Sequence, residues 1–303
     1  MPSSTSSSTD DPVERARRVL EAGGVIGLPT ETVYGLAADA TSSSAVRKIF
    51  SIKGRPADHP LILHVADLAA AQTLSSRWTD TARALAEAFW PGPLTLVVVR
   101  SAEVLDEVTG GRTTVAIRIP RHALALRVLQ EFGRPVAAPS ANRFGRVSPT
   151  TADHVRADLG ADVDFVLDGG PCEVGLESTI VDCSVDPPQI LRPGSISAEQ
   201  ISEVVGGVAS ASGPSRAPGM LESHYAPDCL VVPVDVGDAS PNDVDRVLDG
   251  RSEPARFAHD LYALLRECDR LRLRRVAVLL PADSGIGRAV RDRVFKAAAR
   301  RSH

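Results

Sequence analysis

An open α/β sheet is the fold class this sequence predicts, and three observations carry it. Short apolar runs at residues 25–28 (VIGL), 61–65 (LILHV) and 94–99 (LTLVVV) have the length of buried strands. Between such runs lie helix-length stretches with N-cap residues in front and glycine or proline behind. The turns after the strands are dense in hydroxyls, amides and arginines, and an open α/β sheet builds small-ligand sites from such turns.

The elements follow in order. Residues 13–22 (VERARRVLEA) read as a helix closed by Gly23 and Gly24. The strand at 25–28 breaks at Pro29 into a turn bearing Thr30, Glu31, Thr32 and Tyr34, with Gly35 allowing the bend. Ser42 or Ser43 then caps a helix that runs out at Lys53-Gly54-Arg55-Pro56. A second strand at 61–65 carries His64. Asp67 caps a short helix, and Thr79 or Asp80 caps a longer one reaching Phe89. Trp90-Pro91-Gly92-Pro93 turns into the strand at 94–99.

Residues 115–119 (VAIRI) form a strand interrupted by Arg118. Facing inward, that guanidinium needs an acidic partner or a ligand; on an alternating strand it can equally face solvent. A helix at 124–132 and a strand at 136–138 lead to the loop 140–150. Ser140, Asn142, Arg143, Arg146 and Ser148 there suit phosphate oxygens and a base or ribose edge, and also an ordinary polar surface loop. A helix at 153–159, a strand at 165–167 and a loop-into-strand at 175–182 (GLESTIVD) come next. A strand at 189–192 and a helix from Ser197 to Val205 close this region.

Lys48, Lys53 and Lys296 are the only lysines in the chain. A compact ammonium at Lys53, two residues before the planar fork of Arg55, suits a phosphate chain. The same pair also suits a solvent-exposed helix C-terminus.

With 303 residues the chain has room for one large domain or two ordinary ones. Residues 1–12 read as a disordered tail without the apolar segment of a secretion signal. Residues 13–206 form the main unit and 207–227 a linker rich in small residues and proline. Residues 228–303 form a small α/β unit that leans on the first, with strands at 230–234 and 276–280 and helices at 255–271 and 287–301.

A hydrophobic share of 43% with 24% charge is that of an ordinary globular protein, and 4% aromatics leave the core to aliphatic residues. A net charge of −4 argues against general nucleic-acid binding, so any basic footprint is local. Cys172, Cys183, Cys229 and Cys268 show no CxxC or Cys/His metal spacing and read as reduced thiols of a cytoplasmic protein. No metal-ligand cluster is expected, and no apolar run has membrane-spanning length.

Several ordered motifs point further: PTETVYGL (29–36), KGRP (53–56), PGPLT (91–95), AIRIP (116–120), APSAN (138–142), SPT (148–150), LESTI (176–180), LRPG (191–194) and HYAP (224–227). Across roughly residues 13–301 the chain resembles the YrdC-like threonylcarbamoyl-AMP synthases, in the long form with an appended C-terminal domain. The resemblance implies a twisted open mixed sheet with a concave, locally basic cleft. It implies that L-threonine, bicarbonate and ATP are joined into threonylcarbamoyl-adenylate with release of pyrophosphate. A downstream tRNA threonylcarbamoyl transferase then modifies adenosine beside the anticodon; tRNA binding by this chain is compatible with that scheme but not required.

By motif, Thr32, His64, Arg118, Ala138 and Ser178 would hold threonine. Arg55, His59, Thr114, Ser140, Asn142, Ser148, Arg192 and Tyr225 would bind ATP, with Mg²⁺ bridging its phosphates. Lys53 and Arg55 would be the catalytic cations, stabilising charge on the triphosphate while a carbamate oxygen attacks the α-phosphorus. The pattern departs from the family in two places. His59 stands where an Asn is usual, and the C-terminal unit is short around residues 235–254. Two other functions are weighed: a carbamoyl-adenylate-forming enzyme, which usually carries extra modules that the cysteine spacing here does not offer, and a non-catalytic RNA-binding module, which the acidic balance opposes.

Overall fold

The computed structural model describes residues 11–211, 217, 225–239 and 241–299. Residues 1–10 of the expected tail, most of the linker between 212 and 224, and His224 of the HYAP motif lie outside the described residues. Asp11 and Pro12 belong to the folded chain: the Asp11 side chain accepts from Val13 N and caps α1 (Pro12–Glu21).

The main unit continues as β1 (Ile26–Leu28), β2 (Gly35–Asp39), α2 (Ser43–Lys53), β3 (Ile62–His64), α3 (Leu68–Thr73) and β4 (Ser75–Arg77). Then come α4 (Asp80–Phe89), β5 (Leu94–Arg100), α5 (Asp106–Thr109), β6 (Thr114–Arg118), α6 (Ala123–Phe132) and β7 (Val136–Ala137). The unit ends with α7 (Ala152–Leu159), β8 (Phe165–Val166), β9 (Thr179–Asp182), β10 (Gln189–Arg192), α8 (Ala198–Val205) and β11 (Ala209–Ser210). The C-terminal unit is β12 (Leu230–Val234), β13 (Arg246–Asp249), α9 (Pro254–Arg270), β14 (Arg275–Leu279) and α10 (Ile286–Ala298).

Local chemistry explains most boundaries. Ser42, not Ser43, accepts from Ala45 N and caps α2, which stops at Gly54 in the left-handed conformation at φ 62°. Asp67, Thr79, Thr151 and Ser197 cap α3, α4, α7 and α8 through their side chains, and Gln200 completes a capping box at Ser197.

One mixed sheet of 11 strands holds the main unit, in the order β11-β10-β9-β5-β6-β3-β7-β2-β1-β8 with β4 paired beside β5. β3 runs parallel to β6 and β5 parallel to β9, while β5 and β6 are antiparallel. The parallel C-terminal sheet orders as β12-β14-β13. Gly35 is not the bend the sequence predicts. It opens β2 opposite Leu28, and a Cβ there would stand 3.1 Å from the Ala138 Cβ, so its small size serves close packing.

The pleat separates the sheet into two chemistries. Leu61, Leu63, Leu94, Leu96, Val115, Ile117 and Val181 point into the main core beneath helices α2 and α4. Their alternates Ile62, Val97, Ala116 and Ile180 face the other way and pack with Leu191 and Ala217. A further cluster joins Val33, Val147 and Leu176 of the main unit to Tyr225, Leu261, Tyr262 and Val290. An ion pair from Arg266 in α9 to Asp158 in α7, at 2.5 Å, fixes the same contact. The C-terminal unit is thus docked through both apolar area and charge. No helix among the described residues is long and apolar enough to cross a membrane.

β2, β4, α5, β11 and β13 escape the sequence reading. β13 buries only Leu248 and owes its extension to its parallel partner β14, so it carries no period-2 signal of its own.

Candidate active site

A concave cleft lined by arginines, hydroxyls and His64 opens on the sheet face opposite the main core. Thr30, Thr32, Gly35, Arg55, Ile62, His64, Arg118, Ala138, Ser140, Glu177, Ser178, Arg192 and Tyr225 are among its lining residues. The site lies across the sheet as well as at its strand ends: Ile62 and His64, two residues apart on β3, both face it.

The residues expected to hold threonine sit on neighbouring elements. His64 and Arg118 are register partners on the parallel strands β3 and β6. Arg118 is buried, with an ion pair at Nη2 and hydrogen bonds from Nη1 and Nε. Nη2 pairs with Glu31 Oε1 at 2.8 Å, Nη1 donates to Thr32 Oγ1 at 2.8 Å, and Nε donates to the Gly92 carbonyl at 3.2 Å. Burial works to raise the Glu31 carboxyl, but the Arg118 charge prevails and holds it below the usual carboxylate range. Burial and then the Arg118 charge push His64 down to about 3, so its imidazole is neutral at pH 7. Its Nδ1 is buried without a hydrogen-bond partner, a polar group that a ligand can satisfy. Ser178 Oγ shares a 2.7 Å hydrogen bond with Thr95 Oγ1.

The cationic side of the cleft is built from Arg55, Arg192 and Ser140. Arg55 follows α2, donates from Nη2 to the Pro60 carbonyl at 3.0 Å, and has a buried Nε without a partner. Burial brings its titration down to about 10, which leaves it charged at neutral pH. Arg192, at the end of β10, donates to the Ser178 carbonyl from Nε at 3.1 Å and from Nη2 at 2.9 Å. Ser140 bridges Gly35 across the sheet. Tyr225 is buried with φ 61°, a left-handed backbone unusual for a side chain of that size.

Five sequence-predicted residues do not line the cleft: Lys53, His59, Thr114, Asn142 and Ser148. Lys53 is buried at the end of α2 and donates to the Ser140 carbonyl at 2.5 Å and the Asn142 carbonyl at 2.6 Å. It holds a wall of the site and does not stand in the site. Asn142 is turned to the loop carbonyls of Arg143 and Arg146. The Ser148 hydroxyl donates to Glu177 Oε1 at 2.6 Å. His59 packs beside Phe144 with ring centroids 5.4 Å apart. Thr114 shares the face of Arg118 but lies four residues back along β6, roughly 13 Å away at the usual strand rise.

Glu31 and Glu177 join the site's charge network without being sequence-predicted site residues, although both fall inside the motifs PTETVYGL and LESTI. A carboxylate within a hydroxyl-rich motif, in a chain with a guanidinium on an apolar strand, was the available signal.

Fold and cleft together define an α/β protein with a concave site lined by arginines, hydroxyls and a buried imidazole. A family model described as Sua5_yciO_yrdC, telomere recombination, matches residues 18–194, and one described as the threonylcarbamoyl-AMP synthase C-terminal domain, Sua5_C, matches residues 196–299. The chain belongs to the Sua5/YciO/YrdC family and carries the Sua5 C-terminal domain. It is 37% identical to the threonylcarbamoyl-AMP synthase of Bacillus subtilis over 329 residues, covering 96% of this chain and 94% of that protein. Against the Pyrococcus abyssi threonylcarbamoyl-AMP synthase the identity is 37% over 308 residues, with 91% and 90% covered. The crystal structure of P. abyssi Sua5 complexed with L-threonine matches at a TM-score of 0.89 with 35% identity, covering 94% of each chain.

Proposed function

We propose that this chain is an L-threonylcarbamoyladenylate synthase, a nucleotidyltransferase that converts L-threonine, bicarbonate and ATP into threonylcarbamoyl-AMP and pyrophosphate. The observation that carries this reading is convergence: Thr32, His64, Arg118, Ala138 and Ser178 share one cleft with Arg55, Ser140, Arg192 and Tyr225. The product would serve a tRNA threonylcarbamoyl transferase in the cytoplasm.

In this mechanism the neutral His64 and the hydroxyls of Thr32 and Ser178 orient threonine, with Arg118 polarised toward its carboxylate. The neutral threonine amine attacks the bicarbonate carbon, the C–N bond forms as a C–O bond breaks, and the bicarbonate hydroxyl leaves as water with a proton from the amine, which gives the carbamate; a carbamate oxygen then attacks the α-phosphorus as the bond to pyrophosphate breaks. No covalent enzyme intermediate is required. Arg55 and Arg192 stabilise charge on the triphosphate. Tyr225, closing the linker side, shields the carbamate from water. Lys53 supports the same step from behind by holding the backbone of Ser140. Mg²⁺ would come with the nucleotide and supply positive charge to its phosphates; Glu177, the carboxylate that lines the cleft, and Glu31 beside Arg118 are each tied to an arginine, which leaves them poorly suited to hold it.

The test is direct. Purified protein with labelled bicarbonate should form the adenylate and release pyrophosphate only when threonine, bicarbonate and ATP are all present, without tRNA or carbamoyl phosphate. Turnover that requires carbamoyl phosphate, or salt-sensitive tRNA binding with no turnover, would overturn the reading.

A further inference from the structure

Thr95 is the one hydroxyl in the apolar run LTLVVV of β5, and it is fully buried. Leu94 and Leu96 on either side point into the main core, so the pleat turns Thr95 to the opposite face, the face of the cleft. Its register partner on β9 is Ile180, which faces the same way. A valine would fill this position without the cost of desolvating a hydroxyl. The hydroxyl therefore needs a partner, and among the described residues its hydrogen bond runs to Ser178 Oγ, at 2.7 Å. Ser178 lines the cleft; Thr95 stands behind it and does not.

Ser178 is held from two further directions. Arg192 donates to its carbonyl from Nε at 3.1 Å and from Nη2 at 2.9 Å, and the same Nη2 donates to Ser178 Oγ at 3.1 Å. Gly194 is pressed against the peptide that follows: a Cβ there would stand 2.6 Å from the Ser178 carbonyl carbon. The main chain of Ser178 is thus fixed, and what remains to be set is the direction of its proton.

The balance of donors and acceptors sets it. A hydroxyl has one proton to give and two lone pairs to fill. A guanidinium only donates, so Arg192 occupies one lone pair of Ser178 Oγ. Between Thr95 and Ser178 either oxygen can be the donor. Were Ser178 the donor, the Thr95 proton would be buried with no acceptor among the described residues, which is the costly arrangement. With Thr95 as donor, its own proton is satisfied, both Ser178 lone pairs are filled, and the Ser178 proton is left for the cleft.

We infer that Thr95 is a positioning residue for the amino-acid substrate: it makes the Ser178 hydroxyl a donor directed at an acceptor oxygen of that substrate. Thr95 acts through Ser178 and does not itself line the site. This rests on the threonine-using reaction proposed above.

Full-length wild type, Thr95→Val, Thr95→Ser, Ser178→Ala and the Thr95→Val/Ser178→Ala double variant are compared by equilibrium titration with L-threonine and, separately, with MgATP, and by thermal melting without ligand. Valine keeps the volume and removes the proton. Thr95→Val should weaken threonine binding about fivefold, the scale of one neutral hydrogen bond, while MgATP affinity moves less than about twofold. Thr95→Ser, which keeps the proton, should stay within about twofold of wild type for both ligands. In the Ser178→Ala background Thr95→Val should cost no further threonine affinity, because its effect runs through Ser178. Without ligand, Ser178→Ala strands the Thr95 proton, so adding Thr95→Val should raise the melting temperature of that variant.

Equal threonine affinity of Thr95→Val and wild type, a further loss in the double variant, or a double variant that melts below Ser178→Ala would each overturn the inference. Parallel loss of both ligands in Thr95→Val would show a merely structural role and would overturn it as well. The melting comparison needs no substrate. A wild type that binds no threonine therefore fails the reaction proposed above, while the donor direction between Thr95 and Ser178 is still decided by the melting pair.

Discussion

The ammonium of Lys53 lies 2.5 Å from the carbonyl oxygen of Ser140, across 87 residues of sequence, and joins the two most polar loops of the chain. A second bond to the Asn142 carbonyl, at 2.6 Å, makes it a two-point clamp. Burial, then the neighbouring Arg55 charge, drive its titration well below that of an ordinary lysine. Such a lysine is structural equipment for the site wall.

Lys53→Met should therefore act on stability and catalysis together. Two carbonyls lose their donor, at a cost on the order of 1–3 kcal/mol for each buried group left unsatisfied. Thermal melting should fall, and the KM for ATP should rise as Ser140 loosens. An unchanged melting temperature would remove the clamp.

Arg55→Ala should separate these effects. Arg55 lines the cleft, and its loss should lower threonine-dependent pyrophosphate release by about 10²-fold, the scale of one electrostatic stabiliser. Its melting should change less than that of Lys53→Met. Steady-state assays beside melting curves check this, and near-normal turnover refutes the assignment.

Glu31→Gln would leave Arg118 charged and buried without its 2.8 Å partner. Removing one member of a buried pair costs about 3–5 kcal/mol. Urea denaturation should show that loss, and the Glu31→Gln/Arg118→Met double variant should be less destabilised than Glu31→Gln alone. A double variant worse than the single would show that the pair is not the source of the cost.

His64 gives the protein an acid-sensitive site. Its value falls from an ordinary 6.5 to about 3 in the folded state, first through burial and then through Arg118. Between those values the unfolded chain binds a proton that the folded chain refuses. Stability from this group is complete above pH 6.5 and declines as pH falls toward 3, by at most about 1.4 kcal/mol per pH unit. His154, depressed to about 4 by burial and then Arg266, adds to the same slope. The measurement is thus the difference between wild type and His64→Gln: urea midpoints should converge between pH 7 and pH 5. Parallel curves would contradict a neutral buried His64.

Gly175 offers a check on docking of the C-terminal unit. Gly175→Ala combines a left-handed backbone with a Cβ driven into the His259 backbone. It should lower the melting temperature, because it pushes the loop off α9 and separates Glu177 from Arg293, its 2.8 Å partner. An unchanged melting temperature would show that contact with α9 does not hold the loop.

The local features were legible because their causes are local. Caps at Asp67, Thr79 and Ser197, the stop at Gly54 and the strand at Gln189–Arg192 each depend on a few adjacent residues. The family, too, was readable, since its motifs are short strings in a fixed order. By contrast, β2 and β13 are strands only because β1 and β14 lie beside them.

What tertiary structure alone decided is which charges meet. VAIRI showed that Arg118 needed a partner or an outward face; only the packed sheet chose Glu31. KGRP marked Lys53 and Arg55 as a pair; only burial sent one to the loop carbonyls and the other to the cleft. Glu177 and Arg293 are 116 residues apart, on different units, and no local pattern could join them. The physical reason is the cost of desolvation, which forces a buried charge to find whatever partner the fold brings within reach.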